Sequence, residues 1–519
     1  MGNACKQPKE LRKRSYFNVD EEKNNGPNGI INMKSKIKLE FSIENCKKSC
    51  RYQIFAKFTD GLSPPFSSEK ILSNSNFIIF STCLICDYFF EKTQTLSVTL
   101  MKDSALIGTK NIVLGNIAGS PGSTFKTLIG DNISIIVSAQ SISDNKSDVE
   151  FDFEVKKIKN VDFRETKNKI SYLITSGGRK VYSSESISSR GAFDKARIPA
   201  ALLQNGFSVI FLNSIQESIG YRDEPNIDSF TYPNNQIYLH LVQDKKSLFN
   251  IYNQSKLIKN FNFIDYIRNG VTIKLTIGID YTSSNKAPND PLSLHYLGGS
   301  NDYEKAIVAC GMVVAYYDYN QLFPVYGFGA VLKGENVPNM CFNVNFQENP
   351  EIYTIENVIN AYRNSFDNLY LAGPTNFCPM IKKAIERIKI ENDPLKYHIL
   401  LILTDGIIYD MDETVDALVE ASFLPLSVII IGIGNDHFRE MIELDGDDNP
   451  LISSAGVKRM RDIVQFVPFN KYKYDPNKLA EQVLEEVPRQ IIEYYTMNHI
   501  EPDDLKNRAM YPQNFNNNF

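Results

Sequence analysis

The sequence has no apolar run long enough to cross a bilayer, and no hydrophobic signal-peptide segment follows Met1. We therefore expect a protein of the cytoplasm rather than an integral membrane or secreted protein. There is also no excess of basic residues, because the formal net charge is -5 over 519 residues. A chain without an overall positive field is unlike a nucleic-acid-binding protein, and we expect no nucleic-acid partner.

Cysteine and histidine are both scarce. Eight cysteines spread over 519 residues fit a reduced compartment better than a disulfide framework. Two cysteine pairs invite a zinc interpretation, but Cys83 and Cys86 lie in the strand-like run TCLICDYFF, where their spacing points them to opposite faces. Buried free thiols are the expectation for these residues.

Catalytic signatures are missing as well. No G-x-x-x-x-G-K-[ST] phosphate-binding loop follows a predicted strand, and no nucleophile-base pair is evident. Three of the five histidines lie in unrelated contexts that favour structural or surface roles: His295, His398 and His437. We predict no catalytic residues and a protein that is not an enzyme.

The chain is long enough for several domains, and its patterns change along its length. Residues 1–33 read as a flexible N-terminal segment, and residues 34–145 and 146–260 each contain short β-rich runs typical of an all-β sandwich. Residues 261–500 alternate apolar strands with amphipathic helices, which predicts an α/β doubly wound parallel sheet. Residues 501–519 read as a flexible tail.

Two apolar runs of the last large domain are each followed closely by a carboxylate. Asp280 comes directly after Ile273–Ile279, and Asp405 comes shortly after His398–Leu403. Such runs are typical of parallel strands buried on both faces. Ligands bind beyond the carboxyl ends of parallel strands, so we expect both carboxylates to face one crevice.

Hydroxyl side chains accompany these carboxylates. Thr282 and Ser284 follow in the loop IDYTSSN, and Thr375 stands in the turn GPTN. Capping of turns and helix ends is the alternative role for each residue taken singly, but the recurrence in three successive turns favours a cation site. Oxygen donors without His or Cys suit Mg²⁺ first, with Mn²⁺ or Ca²⁺ as alternatives, and water or an outside oxygen must complete the shell. The predicted metal ligands are Asp280, Thr282, Ser284, Thr375 and Asp405.

The same residues resemble the metal-ion-dependent adhesion site of von Willebrand factor A domains. The surrounding phrases FIDYIRNG, SLHYL, LFPVYGFGA, LILTDG and DIVQFVPF narrow the resemblance to the copine family. The resemblance implies two tandem C2-type sandwiches followed by an A-like domain. It also implies phospholipid binding that depends on calcium, and a cation that bridges to an acidic side chain of a partner protein.

The chain departs from that pattern where C2 modules bind calcium. Ca²⁺ takes six to eight oxygen ligands. The predicted loops of the two modules offer few carboxylates, with Asp103 in the first module and Asp162 and Asp223 in the second as weak candidates. We therefore expect both modules to be degenerate and their calcium binding to be weakened or lost.

The N-terminal segment carries signals for membrane attachment. In MGNACKQ, Gly2 is a candidate for myristoylation and Cys5 for palmitoylation, although Lys6 stands where the motif prefers Ser or Thr. A basic patch follows that suits anionic headgroups: Lys6, Lys9, Arg12, Lys13 and Arg14. We expect the protein in the cytoplasm and on the cytoplasmic face of the plasma membrane, as an adaptor that binds phospholipids and unidentified proteins.

Two other functions remain open at this stage. One is a Mg²⁺-dependent phosphatase of the haloacid dehalogenase type, which would need a second carboxylate two positions after Asp280, where Thr282 stands. The other is a scaffold that works without metal.

Overall fold

The computed structural model describes most of the chain in two compact units. The described residues are 35–61, 63–130, 132–142, 147–159, 169–188, 191–213, 216, 218–231, 236–237, 248–446 and 450–510. One unit contains Ser147–Ile258, and the other contains Asn32–Lys146 together with Lys259–Phe519. Among the described helices, none combines the length and apolar character needed to span a bilayer.

The first sandwich consists of two antiparallel sheets. Alternation of apolar and polar residues builds it: in the first strand Ile37, Leu39, Phe41 and Ile43 are buried, and the residues between them are not. The elements are β1 (Ser35–Glu44), β2 (Arg51–Phe58), β3 (Phe66–Ser67), β4 (Ile71–Leu72), β5 (Phe77–Ile79), β6 (Leu84–Tyr88), β7 (Thr95–Lys102), β8 (Ala105–Val113), α1 (Leu114–Gly119), β9 (Thr124–Leu128) and β10 (Ser134–Ile142). One sheet has the order β5-β1-β10-β9 with β6 also on β1, and the other has the order β3-β2-β7-β8 with β4 on β2.

The second sandwich forms the separate unit. Its core is rich in aromatic rings, with Phe153 in edge contact with Tyr172 at a centroid distance of 5.0 Å. The elements are β11 (Ser147–Phe151), β12 (Phe153–Lys159), β13 (Lys169–Ser176), β14 (Arg179–Ser183), β15 (Ile187–Ser188), β16 (Gly191–Ala192), β17 (Ala196–Pro199), β18 (Phe207–Asn213), β19 (Ser218–Glu224), α2 (Ile227–Phe230), β20 (Gln236–Ile237), β21 (Leu248–Asn253) and β22 (Lys256–Lys259).

The third domain is an α/β domain around a mainly parallel sheet, so the predicted fold class is confirmed. The elements are α3 (Phe263–Arg268), β23 (Thr272–Asp280), α4 (Asp302–Val314), β24 (Leu322–Phe328), β25 (Ala330–Leu332), β26 (Phe342–Asn343), β27 (Glu351–Tyr353), α5 (Ile355–Ser365), β28 (Leu369–Leu371), α6 (Cys378–Glu391), β29 (Lys396–Thr404), α7 (Met411–Ala421), β30 (Leu426–Gly432), α8 (Arg439–Asp445), β31 (Val464–Pro468), α9 (Pro476–Leu484), α10 (Val487–Met497) and α11 (Pro502–Met510). The strand order is β26-β24-β23-β29-β30-β31, and the pairings β24/β23, β23/β29, β29/β30 and β30/β31 are all parallel.

The last helix corrects the expectation of a flexible tail after residue 500. Residues 502–510 form α11, and the side chain of Leu505 is fully buried in the core of this domain. A single leucine among mostly polar residues does not form the periodic apolar pattern from which a buried helix can be predicted.

The first sandwich packs directly against the α/β domain. The hydroxyl groups of Tyr88 and Tyr317 are hydrogen-bonded to each other in the buried interface. The ring of Phe90 lies 5.0 Å from that of Phe263 and 4.8 Å from that of Tyr317, measured between centroids. The buried residues of the first sandwich and of the α/β domain belong to one continuous hydrophobic core. These two domains therefore form one compact unit, although the sequence places the second sandwich between them and gives no sign of their contact.

Candidate metal centre

The parallel sheet brings Asp280 and Asp405 to neighbouring positions. Asp280 is the last residue of β23, and Asp405 directly follows β29. The two strands are paired so that Ile279 lies beside Leu403, which places the two carboxylates at the same edge of the sheet. Asp280 is fully buried and Asp405 is half-buried.

Hydroxyl groups connect the two carboxylates. The hydroxyl of Ser284 donates to Asp405 Oδ1 at 2.9 Å, and the hydroxyl of Thr282 lies 2.9 Å from Ser284 Oγ. The backbone N–H of Thr282 donates to Asp280 Oδ1 at 2.8 Å. Thr404, which was not predicted as a site residue, donates from its hydroxyl to Asp280 Oδ2 at 2.7 Å. Four of the five predicted ligands thus belong to one hydrogen-bonded chain.

Thr375 belongs to the adjoining loop. The backbone N–H of Ser283 donates to the carbonyl of Ala372 at 2.8 Å, which holds the two loops side by side. Thr375 is buried, with 4% of its surface exposed, and its carbonyl accepts a hydrogen bond from the backbone N–H of Tyr409 at 3.0 Å. The three predicted turns are therefore neighbours in the structure.

The electrostatics of the site favour a bound cation. Burial, followed by repulsion from Asp280, raises the pKa of Asp405 to about 7. Burial also raises the pKa of Asp280, although hydrogen bonds from Thr282 and Thr404 oppose the shift. Two carboxylates with three hydroxyl groups form a hard oxygen donor set, which fits Mg²⁺, Mn²⁺ or Ca²⁺ and not a thiolate-seeking metal.

A fully buried histidine supports the loop that carries Thr282 and Ser284. His295 Nε2 lies 2.9 Å from the backbone carbonyl oxygen of Asp280, and His295 Nδ1 lies 2.7 Å from the hydroxyl of Tyr362. Burial lowers the pKa of His295 to about 3, so the ring is neutral. A neutral ring satisfies both contacts when Nε2–H donates to the carbonyl and Nδ1 accepts from the tyrosine. His295 therefore has a structural role, because it holds the backbone at Asp280 in place.

Asn285 holds the same loop from the other side. Its side-chain amide donates to the carbonyl of Thr282 at 3.3 Å, and its Oδ1 accepts from the hydroxyl of Tyr303 at 2.7 Å. The Tyr303 ring in turn stacks on His295 with a centroid distance of 4.3 Å. Asn285 and Thr404 lie next to predicted site residues and were within reach of the sequence. His295 and Tyr303 carry no local signal that links them to the loop.

The calcium candidates of the sandwiches are engaged in other contacts. Asp103 Oδ1 accepts a hydrogen bond from the backbone N–H of Arg51 at 2.8 Å, so this carboxylate closes a turn. Asp223 was expected in a loop, but it lies inside β19 and accepts a hydrogen bond from the hydroxyl of Ser208 on the paired strand β18. The pairing with β18 extends the strand through a segment whose polar residues indicated a loop. Asp162 lies outside the described residues.

The cysteines of the described residues are free thiols, as expected. Burial raises the pKa of Cys46 to about 11 and that of Cys86 to about 12. Within the described ranges, no group of three or more His, Cys, Asp or Glu residues is placed to hold a metal. The N-terminal candidates lie outside the described residues: Gly2, Cys5, Lys6, Lys9, Arg12, Lys13 and Arg14.

Comparison with known proteins agrees with the sequence resemblance. The Copine family model matches residues 293–503. Copine-D of Dictyostelium discoideum is 33% identical over 476 residues, an alignment that covers 84% of this chain and 89% of that protein. The chain belongs to the copine family. Copine-A of the same organism is 32% identical over 493 residues, covering 86% of this chain and 81% of that protein. Membership of the copine family supports a membrane-associated adaptor role.

Solved structures with similar parts were also found. The pair of C2 domains of extended-synaptotagmin 2 matches with a TM-score of 0.19 and 9% identity, covering 48% of this chain and 100% of that chain. The VWA domain of SpRpn10 matches with a TM-score of 0.27 and 12% identity, covering 41% of this chain and 95% of that chain.

Proposed function

We propose that this copine is a peripheral membrane adaptor whose α/β domain captures partner proteins through a divalent cation, Mg²⁺ first. The observation that carries the proposal is the hydrogen-bonded chain from Asp280 through Thr282 and Ser284 to Asp405 at the carboxyl edge of the sheet. Such an arrangement concentrates oxygen donors and negative charge at one accessible place.

The residues of the site would have different roles according to their exposure to solvent. Ser284 is exposed and Asp405 is half-buried, so their oxygens are the ones that meet an incoming group. Asp280 is fully buried and both of its carboxylate oxygens accept hydrogen bonds, so it supplies charge and holds the loop. A bound cation would supply a coordination position for an acidic side chain of the partner. Mn²⁺ or Ca²⁺ are alternatives to Mg²⁺.

Catalysis is a weaker proposal for this site. A phosphatase of the haloacid dehalogenase type needs a carboxylate two residues after the nucleophile, and Thr282 stands there. The Thr282 hydroxyl is hydrogen-bonded to the hydroxyl of Ser284, and it does not replace the carboxylate that such an enzyme uses as acid and base. We therefore favour a binding function over a Mg²⁺-dependent phosphatase. The next experiment distinguishes metal-dependent binding from a scaffold that works without metal.

The test compares two adjacent serines. Ser284→Ala removes a hydroxyl of the site, whereas the exposed neighbour Ser283 makes no described side-chain hydrogen bond, so Ser283→Ala is the matched control. Calorimetry should show Mg²⁺ binding for the wild type and Ser283→Ala, and weaker or no binding for Ser284→Ala and Asp280→Ala. Partner capture should follow the same order and be abolished by EDTA. Equal capture by all variants, or capture insensitive to EDTA, would establish a metal-independent scaffold.

Membrane attachment is proposed to come from the N-terminus, with phospholipids as the membrane partner. Myristoylation of Gly2 and palmitoylation of Cys5 would provide two lipid anchors, because one acyl chain gives only marginal binding. The basic residues from Lys6 to Arg14 would add attraction to anionic lipids. Gly2→Ala should move the protein into the soluble fraction, and unchanged sedimentation with membranes would exclude this anchor.

A further inference from the structure

Large apolar side chains that face solvent border the candidate metal centre. Ile407 and Tyr409 lie in the turn that carries Asp405, and they are 52% and 74% exposed. Leu292 lies in the loop that continues from Asn285, and it is 75% exposed. Both segments follow strands of the parallel sheet at its carboxyl edge. We call Leu292, Ile407 and Tyr409 the apolar rim.

Hydrogen bonds of the backbone hold the rim beside the metal loops. Besides the bond from the Tyr409 N–H to the Thr375 carbonyl, the buried side chain of Ile408 fixes this turn in the core. Next to Leu292, the hydroxyl of Ser293 lies 2.9 Å from the carbonyl oxygen of Asn285. The exposure of the rim therefore comes from an anchored backbone, and little conformational entropy is lost when a partner covers it.

The charge of the site complements an acidic group once a cation is bound. A divalent cation balances the two carboxylates of Asp280 and Asp405. Lys286 is exposed directly after Asn285, and within the described residues it forms no ion pair. The loaded site with Lys286 is thus positive, whereas the empty site is negative and repels a carboxylate.

A carboxylate alone cannot identify a partner, because nearly every protein surface displays Asp and Glu. Specificity requires a further contact that the correct partner makes and others do not. Burial of anchored apolar and aromatic side chains provides such a contact, and tyrosine is enriched among the residues that dominate binding energy.

We infer that the apolar rim selects partner segments in which an Asp or Glu is flanked directly by bulky apolar residues. The acidic side chain takes the open coordination position of the cation, and its apolar neighbours pack on Leu292, Ile407 and Tyr409. The inference rests on the metal-dependent binding proposed above, and it names the class of partner sequence that this site accepts.

The test uses the full-length protein and an array of immobilised peptides in Mg²⁺. Each peptide has a central Asp flanked on both sides by Leu, Phe or Ser, and a second set has Asn at the centre. The wild type should bind the Leu- and Phe-flanked Asp peptides about tenfold more strongly than the Ser-flanked ones, because apolar surface leaves water. Asn peptides should not bind, and EDTA should abolish all binding.

The variant Ile407→Ser/Tyr409→Ser should lose the preference for apolar flanks. Its Mg²⁺ affinity, measured by calorimetry, should stay normal because the backbone N–H of Tyr409 remains. Leu292→Ser alters the other loop and should reduce the same preference about threefold, which provides a second measurement should the double variant not fold.

The control Tyr353→Ser/Ile390→Ser removes similar exposed side chains from the opposite edge of the sheet. Tyr353 pairs with Leu322, the first residue of β24, and Ile390 lies in the last turn of α6 before β29 begins. Neither is near the oxygen donors, so this variant should bind every peptide like the wild type.

Different results would overturn the inference and the proposed metal-dependent binding. Mg²⁺-dependent binding that ignores the flanking residues, or that keeps its preference in Ile407→Ser/Tyr409→Ser and Leu292→Ser, would overturn the inference alone. Binding of Asn peptides, binding in EDTA, or no binding of Asp peptides would overturn both. Mg²⁺-dependent dimers that dissociate in the rim variants, seen by analytical ultracentrifugation, would assign the rim to a second copy of the chain and also overturn the inference.

Discussion

His295 Nε2 lies 2.9 Å from the backbone carbonyl oxygen of Asp280, inside a fully buried pocket directly behind the candidate metal centre. The ring thereby ties the end of β23 to Tyr362 of α5. The geometry of the loop that carries Thr282 and Ser284 depends on a residue that no metal would touch.

His295→Ala should therefore weaken both the fold and the metal centre. The substitution leaves a cavity and deprives the Asp280 carbonyl of its partner, which should cost about 3 kcal/mol of unfolding free energy. Urea unfolding and Mg²⁺ calorimetry are the measurements. His437→Ala, at an exposed position, is the control and should behave like the wild type. Unchanged Mg²⁺ affinity in His295→Ala would show that the loop keeps its shape without the ring.

Removal of the proposed cation should destabilise the wild type. The carboxylates of Asp280 and Asp405 repel each other in a buried place, and a bound cation offsets that repulsion. At a hundredfold excess over its dissociation constant, Mg²⁺ should add about 2.7 kcal/mol to the unfolding free energy. Thermal denaturation in Mg²⁺ and in EDTA measures the difference.

Asp405→Asn should abolish that difference. The variant should be at least as stable as the wild type in EDTA, because one of the two repelling charges is gone. A Mg²⁺-induced stabilisation of normal size in this variant would exclude Asp405 as a ligand.

His398 should make the stability of the α/β domain fall on mild acidification. His295, whose pKa is also lowered by burial, acts in the same direction, and Asp405, whose pKa is raised, acts in the opposite direction. Burial lowers the pKa of His398 to about 4, against an ordinary value of 6.5. Between these values the unfolded chain binds a proton that the folded chain does not, so stability is complete above about pH 6.5 and falls towards pH 4. The loss should be on the order of 2–3 kcal/mol.

The His398→Asn variant should show a flatter pH dependence of unfolding free energy across the same window. His499→Asn, at an exposed position, should keep the wild-type slope. An identical slope in His398→Asn would mean that other groups produce the acid sensitivity.

The packing of the first sandwich on the α/β domain should depend on Gly119. A Cβ atom at this position would lie 1.9 Å from the carbonyl oxygen of Tyr316. Gly119→Ala should therefore destabilise the joint unit by about 2 kcal/mol and make the first sandwich more susceptible to proteolysis. Gly299→Ala, where a Cβ meets no atom within 4 Å, is the matched control. A Gly119→Ala protein as protease-resistant as the control would contradict the close packing.

Much of the fold follows from local patterns. The apolar run before Asp280 predicts a buried parallel strand, and β23 ends at that residue. The strand-like run TCLICDYFF is a strand only in part, because β6 covers Leu84–Tyr88 and Cys83 lies before it. The period and length of an apolar run identify most strands. A polar stretch such as the one around Asp223 becomes a strand only because it pairs with a neighbouring strand, here β18.

The order of residues along the chain determined which oxygen donors follow which strands, because strand ends and turns are set by local apolar periodicity and turn chemistry. Only the tertiary structure decided that β23 and β29 are neighbours, that His295 lies behind Asp280, and that the first sandwich shares a core with the α/β domain. These relationships join residues far apart in the chain through packing and strand pairing, and no local pattern in either partner encodes the other.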